Sequence, residues 1–138
     1  MKTILTQIQN CAKCTSIKGY HKFSIKAHGS LSSKYMLVSE APGRKSLESG
    51  KYWTGAGGKI LRKCLPENLE LEDLFYLTDI VKCWPNEEME NRTPVEPEIK
   101  NCVHFLKSEI EVLNPDYIIS LGGIVSSFFC NCLPGPTL

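Results

Sequence analysis

The chain has no long apolar run. None of its hydrophobic stretches approaches the ~18 consecutive residues of a membrane-spanning helix, and the opening "MKTILTQIQN" turns polar too early for a secretory leader. It also lacks an excess of charge: 16 basic and 15 acidic residues leave a formal net charge of +1. No global field gathers a polyanion, so any nucleic-acid surface has to be a local patch. Repeats and low-complexity segments are absent. With 42% apolar and 22% charged residues, the composition excludes disorder. These absences predict a soluble, intracellular protein without membrane contact; a cytoplasmic monomer is the expectation. Its 138 residues suit one domain that buries about two-thirds of its unfolded surface.

What the chain has in quantity is cysteine, seven in all. In a reducing compartment these read better as metal ligands or buried thiols than as disulfides. Cys11-x-x-Cys14 brings two sulfurs together on one turn, and Cys83 and Cys102 can close a four-sulfur site. Spacing favours a metal over none and leaves zinc level with iron–sulfur. The alternative without metal is that the cysteines act as small buried hydrophobes. Cys64, Cys130 and Cys132 read as core or surface thiols, not ligands.

Helical spacing runs over Ile4 to Cys11, and residues 17–32 read as irregular or a short hairpin. "YMLVS" (35–39) is a continuous apolar run stopped by "EAPG", a buried strand followed by a tight turn. "GAGGKILRKCL" enters a helix through glycines, and 71–74 is a short acidic turn. A second strand covers 75–81, and 84–95 is a polar loop. Pro97, Ile99, Cys102, Val103, Leu106, Ile110 and Leu113 form the stripe of an amphipathic helix. "PDYIISLGG" reads as a third buried strand, and "IVSSFFCNCL" begins another helix. Strands alternating with helices imply a parallel sheet covered on both faces. In such sheets ligands sit at the carboxyl ends of the strands, where Glu40, Asp79 and Gly122 fall.

Two further groups of residues carry chemistry. In "SEAPGRKSLESGKYWTGAGGKIL" (39–61), Pro42 and Gly43 force a sharp turn that frees backbone N–H groups, and Glu40 beside them can order a water. The plainer reading is a strand-to-helix loop with a capping carboxylate. Trp53, among glycines, suits a stacking platform for a planar ligand, with a core tryptophan as the alternative. Arg44, Lys45, Lys51, Lys59, Lys82 and Arg92 are solvated charges, or a phosphate-contacting rim if their loops cluster.

Taken together the motifs resemble the iron–sulfur (family 4) uracil-DNA glycosylases from Cys11 to about Gly123. "SEAPG" is similar to that family's "GEAPG", with Ser39 replacing glycine, and "GKYWTGAGGKIL" to "GRPFVGPAGRLL", with Trp53 at the phenylalanine that stacks on the flipped base. "YLTDIVKC" parallels "YITNVVKC", and "PDYIISLGG" parallels "P.VIV.LG". The resemblance implies a three-layer α/β/α fold about a short central parallel sheet, with the cysteine-bearing segment 1–32 packed on an α/β core, 33–138. It also implies a [4Fe–4S] cluster on Cys11, Cys14, Cys83 and Cys102, which places iron–sulfur ahead of zinc. Uracil-containing DNA, single- or double-stranded, is the implied partner and excision of uracil in base-excision repair the implied activity. Glu40 would activate water, and Ala41, Pro42, Gly43, Trp53 and Asp79 would hold the base.

Two departures bear on this. Asp79 stands where the family has asparagine. An amide donates to O4 of uracil and accepts from N3–H, whereas an ionised carboxylate only accepts. It could accept from the amine of cytosine instead, or serve uracil if buried and protonated. The family's His-Pro-Ser loop is also missing. His21 and His28 read as loop residues and His104 as a helix residue. The expectation is therefore a frame cut short after the third strand, either a shortened homologue or a fragment, with slow or absent excision. The alternative is an iron–sulfur nucleic-acid-binding module derived from such an enzyme; a zinc-bound interaction domain is more distant.

Overall fold

The computed structural model describes residues 1–17 and 23–132, so the reading of His21 lies outside the described residues. Its centre is a three-stranded parallel sheet of β1 (Tyr35–Ser39), β2 (Tyr76–Asp79) and β5 (Tyr117–Ser120) in the order β2-β1-β5. β1 pairs with β2 from Met36↔Tyr76 to Ser39↔Asp79, and with β5 from Tyr35↔Tyr117 to Val38↔Ser120. Parallel neighbours need crossovers. These are α2 (Arg44–Ser49), α3 (Ala56–Lys63) and α4 (Leu71–Leu74) between β1 and β2, and α5 (Glu96–Leu113) before β5. α1 (Lys2–Gln9) precedes the sheet and α6 (Gly123–Cys132) follows it.

Alternation along the strands divides the core into two layers. Met36 and Val38 face one side with Tyr76, against Leu5 and Ile8 of α1, Phe105 and Leu106 of α5, and Val125 of α6. Leu37 and Leu77 face the other, against Phe23, Ala27, Tyr52 and Leu71. Each fully buried side chain of this kind contributes about 1.5–3 kcal/mol. The three-layer α/β/α expectation holds.

Several details differ from the sequence reading. α1 begins and ends two residues earlier than the periodicity predicts, which leaves Cys11 beyond the helix. Residues 25–28 form a 3₁₀ turn, and His28 is not a loop residue. It is buried, its Nδ1 lies 2.9 Å from the Leu77 carbonyl oxygen, and its ring stacks on Tyr76. Residues 71–74 are one helical turn closed by a capping box between Glu70 and Asp73. The polar loop 84–95 contains an antiparallel ribbon, β3 (Asn86–Glu87) with β4 (Glu90–Asn91). Its turn places Glu88 and Met89 at positive φ, the twist of a two-residue hairpin.

β5 corrects the expectation of a third buried strand. Tyr117, Ile118 and Ile119 are 62%, 36% and 40% exposed, and among the described residues β5 pairs only with β1. An apolar run shows that a strand is suited to being covered, not that a neighbour covers it.

Candidate functional site

The carboxyl ends of β1 and β2 open onto a cleft of about 340 Å³. Its wall is built from Ser39, the turn Ala41–Gly43, Trp53, the glycines that start α3, Asp79 and Asn91. Around the same turn lies a second cleft of about 350 Å³, shared by Glu40, Pro85 and the segment 91–94. The predicted residues thus divide. Ala41, Pro42, Gly43, Trp53 and Asp79 meet in one cleft, while Glu40 lines the adjoining one with the same turn between.

Glu40 is held by the helix that follows β5. Its Oε1 accepts the Ile124 N–H at 3.1 Å, capping the start of α6. The approach needs a glycine: Gly122 sits at φ +111°, and a Cβ there would lie 2.5 Å from Glu40 Oε1. The plain reading of a capping carboxylate is therefore correct as far as it goes, although the helix it caps is distant in sequence.

Trp53 is half-buried, at φ 58°. A bulky residue in the left-handed region stores strain that its surroundings must hold. Arg62 provides the clamp, donating from Nε to the Trp53 carbonyl at 3.0 Å and from Nη2 to the Tyr52 carbonyl at 2.7 Å. Its guanidinium is fixed in turn by Glu72 at 2.7 Å. α3 packs so closely that a Cβ on Gly58 would lie 2.0 Å from the Trp53 carbonyl oxygen. Gly58 serves this contact from the first turn of the helix.

Asp79 is 1% exposed. Ser39 Oγ, opposite it across the β1–β2 ladder, donates a short hydrogen bond to Oδ1, while Oδ2 is buried without a partner. Burial raises its carboxyl to about 7, against the Ser39 hydrogen bond and the Lys82 ammonium, which lower it. Glu109 adds a smaller upward push.

Lys82 does not belong to a phosphate rim. It is 3% exposed, and its ammonium donates to Thr78 Oγ1, the Asp79 carbonyl and Glu109 Oε2, at 2.6, 2.6 and 2.5 Å. Glu109, 0% exposed, also accepts from Tyr76 Oη at 2.7 Å. Nothing in "IVKCW" separates a buried lysine from a surface one, since its partner lies 27 residues away. Arg92 is held by Glu98. Arg44, Lys45 and Lys59 remain exposed around the turn and α3.

Cys11, Cys14, Cys83 and Cys102 line one small apolar cavity with Ile8, Ile17 and Phe105. Burial pushes the Cys83 thiol up to about 12, and the neighbouring Cys102, Cys14 and Cys11 push it further in the same direction. The Lys82 N–H donates to Cys102 Sγ at 3.2 Å and Asn101 Nδ2 to Cys14 Sγ at 3.6 Å. Among the described residues no three His, Cys, Asp or Glu side chains converge to hold a single metal ion. Cys64 and Cys130 are exposed and stand apart from this group.

Three residues of the clefts were not anticipated. In the sequence Ser39 reads only as a replaced glycine; its role depends on strand register. Tyr52 is buried against Phe23 at a ring separation of 4.2 Å. Asn91 accepts through Oδ1 from the Arg44 N–H at 2.9 Å and from Trp84 Nε1 at 2.8 Å, tying the ribbon to the turn.

A profile of the uracil DNA glycosylase superfamily matches residues 27–137. The type-4 uracil-DNA glycosylase of Thermotoga maritima is 32% identical over 129 residues, covering 94% of this chain and 65% of that protein. That of Pyrobaculum aerophilum is 37% identical over 116 residues, covering 83% and 57%. A DNA polymerase of Bacillus phage SP01 is 34% identical over 114 residues, covering 82% of this chain and 12% of that protein. The chain thus spans 57–65% of the length of the two glycosylases. It belongs to the uracil-DNA glycosylase superfamily.

Proposed function

We propose that this chain is a DNA base-excision module that binds a strand, flips out a uracil and hydrolyses its N-glycosidic bond. The observation that carries this reading is the convergence of the Ala41–Gly43 turn, Trp53 and Asp79 on one cleft at the carboxyl edge of the sheet. The base stacks on Trp53, and its edge meets Asp79 and the backbone of the turn. Glu40, oriented by its cap on α6, orders the water that attacks the sugar from the adjoining cleft. Arg44, Lys45 and Lys59 meet the phosphates.

Cys11, Cys14, Cys83 and Cys102 would hold a [4Fe–4S] cluster, which supplies a structural cross-link and takes no part in breaking the bond. Four thiols around one cavity suit a thiolate-bound group. A single tetrahedral zinc would instead draw its sulfurs to about 2.3 Å from one point. Among the described residues no histidine lines either cleft, and a donor aimed at a departing base commonly contributes about 10²–10³ in rate.

The test is incubation of the chain with single-stranded DNA carrying one uracil, followed by alkaline cleavage at abasic sites. Slow, uracil-dependent cleavage that Glu40→Gln abolishes is the expected result. DNA binding with no abasic product at any enzyme excess would favour the binding-module alternative. Trp53→Ala should weaken single-strand binding by about 1–3 kcal/mol, the contribution of one stacked base.

A further inference from the structure

Two of the positions at which the site motifs depart from the family pattern, Ser39 and Asp79, touch each other. Ser39 and Asp79 face each other across the β1–β2 ladder, and the serine hydroxyl donates to Asp79 Oδ1. That bond occupies one carboxyl oxygen and fixes the plane of the group. The other, Oδ2, is buried and unpartnered, and Asp79 lines the cleft that also holds Trp53. A buried polar atom without a partner is costly unless a ligand or a proton satisfies it.

We propose that Asp79 reads the edge of the flipped base as a neutral carboxylic acid, with Oδ2–H donating to a 4-oxo group, and that losing this proton turns the pocket from uracil toward a 4-amino base. The inference rests on the proposed function and specifies how that site selects its base. An acid with Oδ1 occupied offers one donor, which suits O4 of uracil. The carboxylate offers only an acceptor, which repels O4 and suits the amine of cytosine.

Of the charged groups around Asp79, Lys82 opposes a neutral acid and Glu109 favours it, and burial outweighs both. Lys82 approaches from the following loop, but all three of its N–H bonds go to Thr78, the Asp79 carbonyl and Glu109. Glu109, on α5, places a second carboxylate nearby and disfavours ionisation. Tyr52, from the loop before α3, is a buried neutral phenol. Ser39, on β1, is the only one of these to donate to the carboxyl itself, and it holds the proton's release near neutrality. The two departures therefore act as a pair: the aspartate supplies the titrating group and the serine positions it and moderates its titration.

Fluorescein-labelled single strands, identical except for a central uracil or cytosine, would be titrated with the chain by anisotropy at about pH 5.5 and about pH 8.5, on either side of the Asp79 transition. The ratio of the two affinities removes any effect of pH on backbone binding. It should favour uracil at the lower pH and fall about tenfold or more at the higher, by the change of one hydrogen bond at a buried charge. In Asp79→Asn the ratio should not change with pH. Ser39→Ala removes a donor to the carboxylate, so its transition should move to higher pH. A uracil preference that is the same at both pH values in the unaltered chain would overturn the proton reading and leave the proposed function standing. No uracil preference at either pH, in the chain or in Asp79→Asn, would overturn both.

Discussion

Asp79 carries a stability cost that depends on pH. Its carboxyl rises from 3.8 to about 7 on folding, chiefly through burial. Between those values the folded state holds a proton that the unfolded chain has released. The associated stability is complete below about pH 4 and is lost as pH rises through about 7, on the order of 4 kcal/mol by about pH 8. Asp79→Asn should recover roughly 2–4 kcal/mol at about pH 8 and gain nothing at about pH 4, a difference readable from urea denaturation at the two pH values. Equal effects at both would mean that folding does not raise the Asp79 carboxyl. His28 acts in the opposite direction. Burial lowers its pKa, so stability falls as pH drops through its unfolded value of 6.5. The Lys82–Glu109 pair is of a different kind. Glu109→Ala leaves an ammonium buried without its counter-charge and should destabilise by about 3–5 kcal/mol.

At the scale of elements, legibility depended on whether the partner was local. β1 and α5 could be read because each carries its own period: "YMLVS" is continuous and buried, and the stripe from Ile99 to Leu113 repeats with the helix. The β3–β4 ribbon could not, since its turn residues Glu88 and Met89 adopt positive φ without the asparagine or glycine that signals such a hairpin. The cleft was legible in its parts, because a turn after a strand falls at the carboxyl edge of a parallel sheet whatever the sequence beyond it. What was hidden were the contacts across it: Ser39 on Asp79, Asn91 on the Arg44 N–H, and Glu40 on α6. Gly122 belongs to the last of these. Gly122→Ala strains a left-handed backbone and drives a methyl group into Glu40. It should lower excision through displacement of Glu40 while Trp53-dependent DNA binding persists, and equal loss of both would contradict that division.

Across the whole molecule, the proposed cluster bears on how the amino-terminal helix is held. α1 contributes Leu5 and Ile8 to the core beside Phe105 and Leu106, roughly 3–6 kcal/mol for the two side chains. Met1 and Ile4 pack beside them and Gln9 Nε2 donates to the Phe23 carbonyl at 3.0 Å, while a helix of eight residues is unstable alone in water. A cluster on Cys11, Cys14, Cys83 and Cys102 would join the end of α1 to the loop after β2 and to α5, supplying a further restraint. The aerobically purified chain should therefore be brown, with broad absorbance near about 400 nm from sulfur-to-iron charge transfer. Removing the iron with a chelator should bleach it and open the segment around Lys2 and Lys13 to trypsin, while the sheet, whose own layers need no metal, keeps most of its circular dichroism. Cys14→Ser should do the same in part. A bleached protein that still protects its amino terminus would show that packing alone holds α1, and a colourless preparation with stoichiometric zinc would replace the cluster with a single ion.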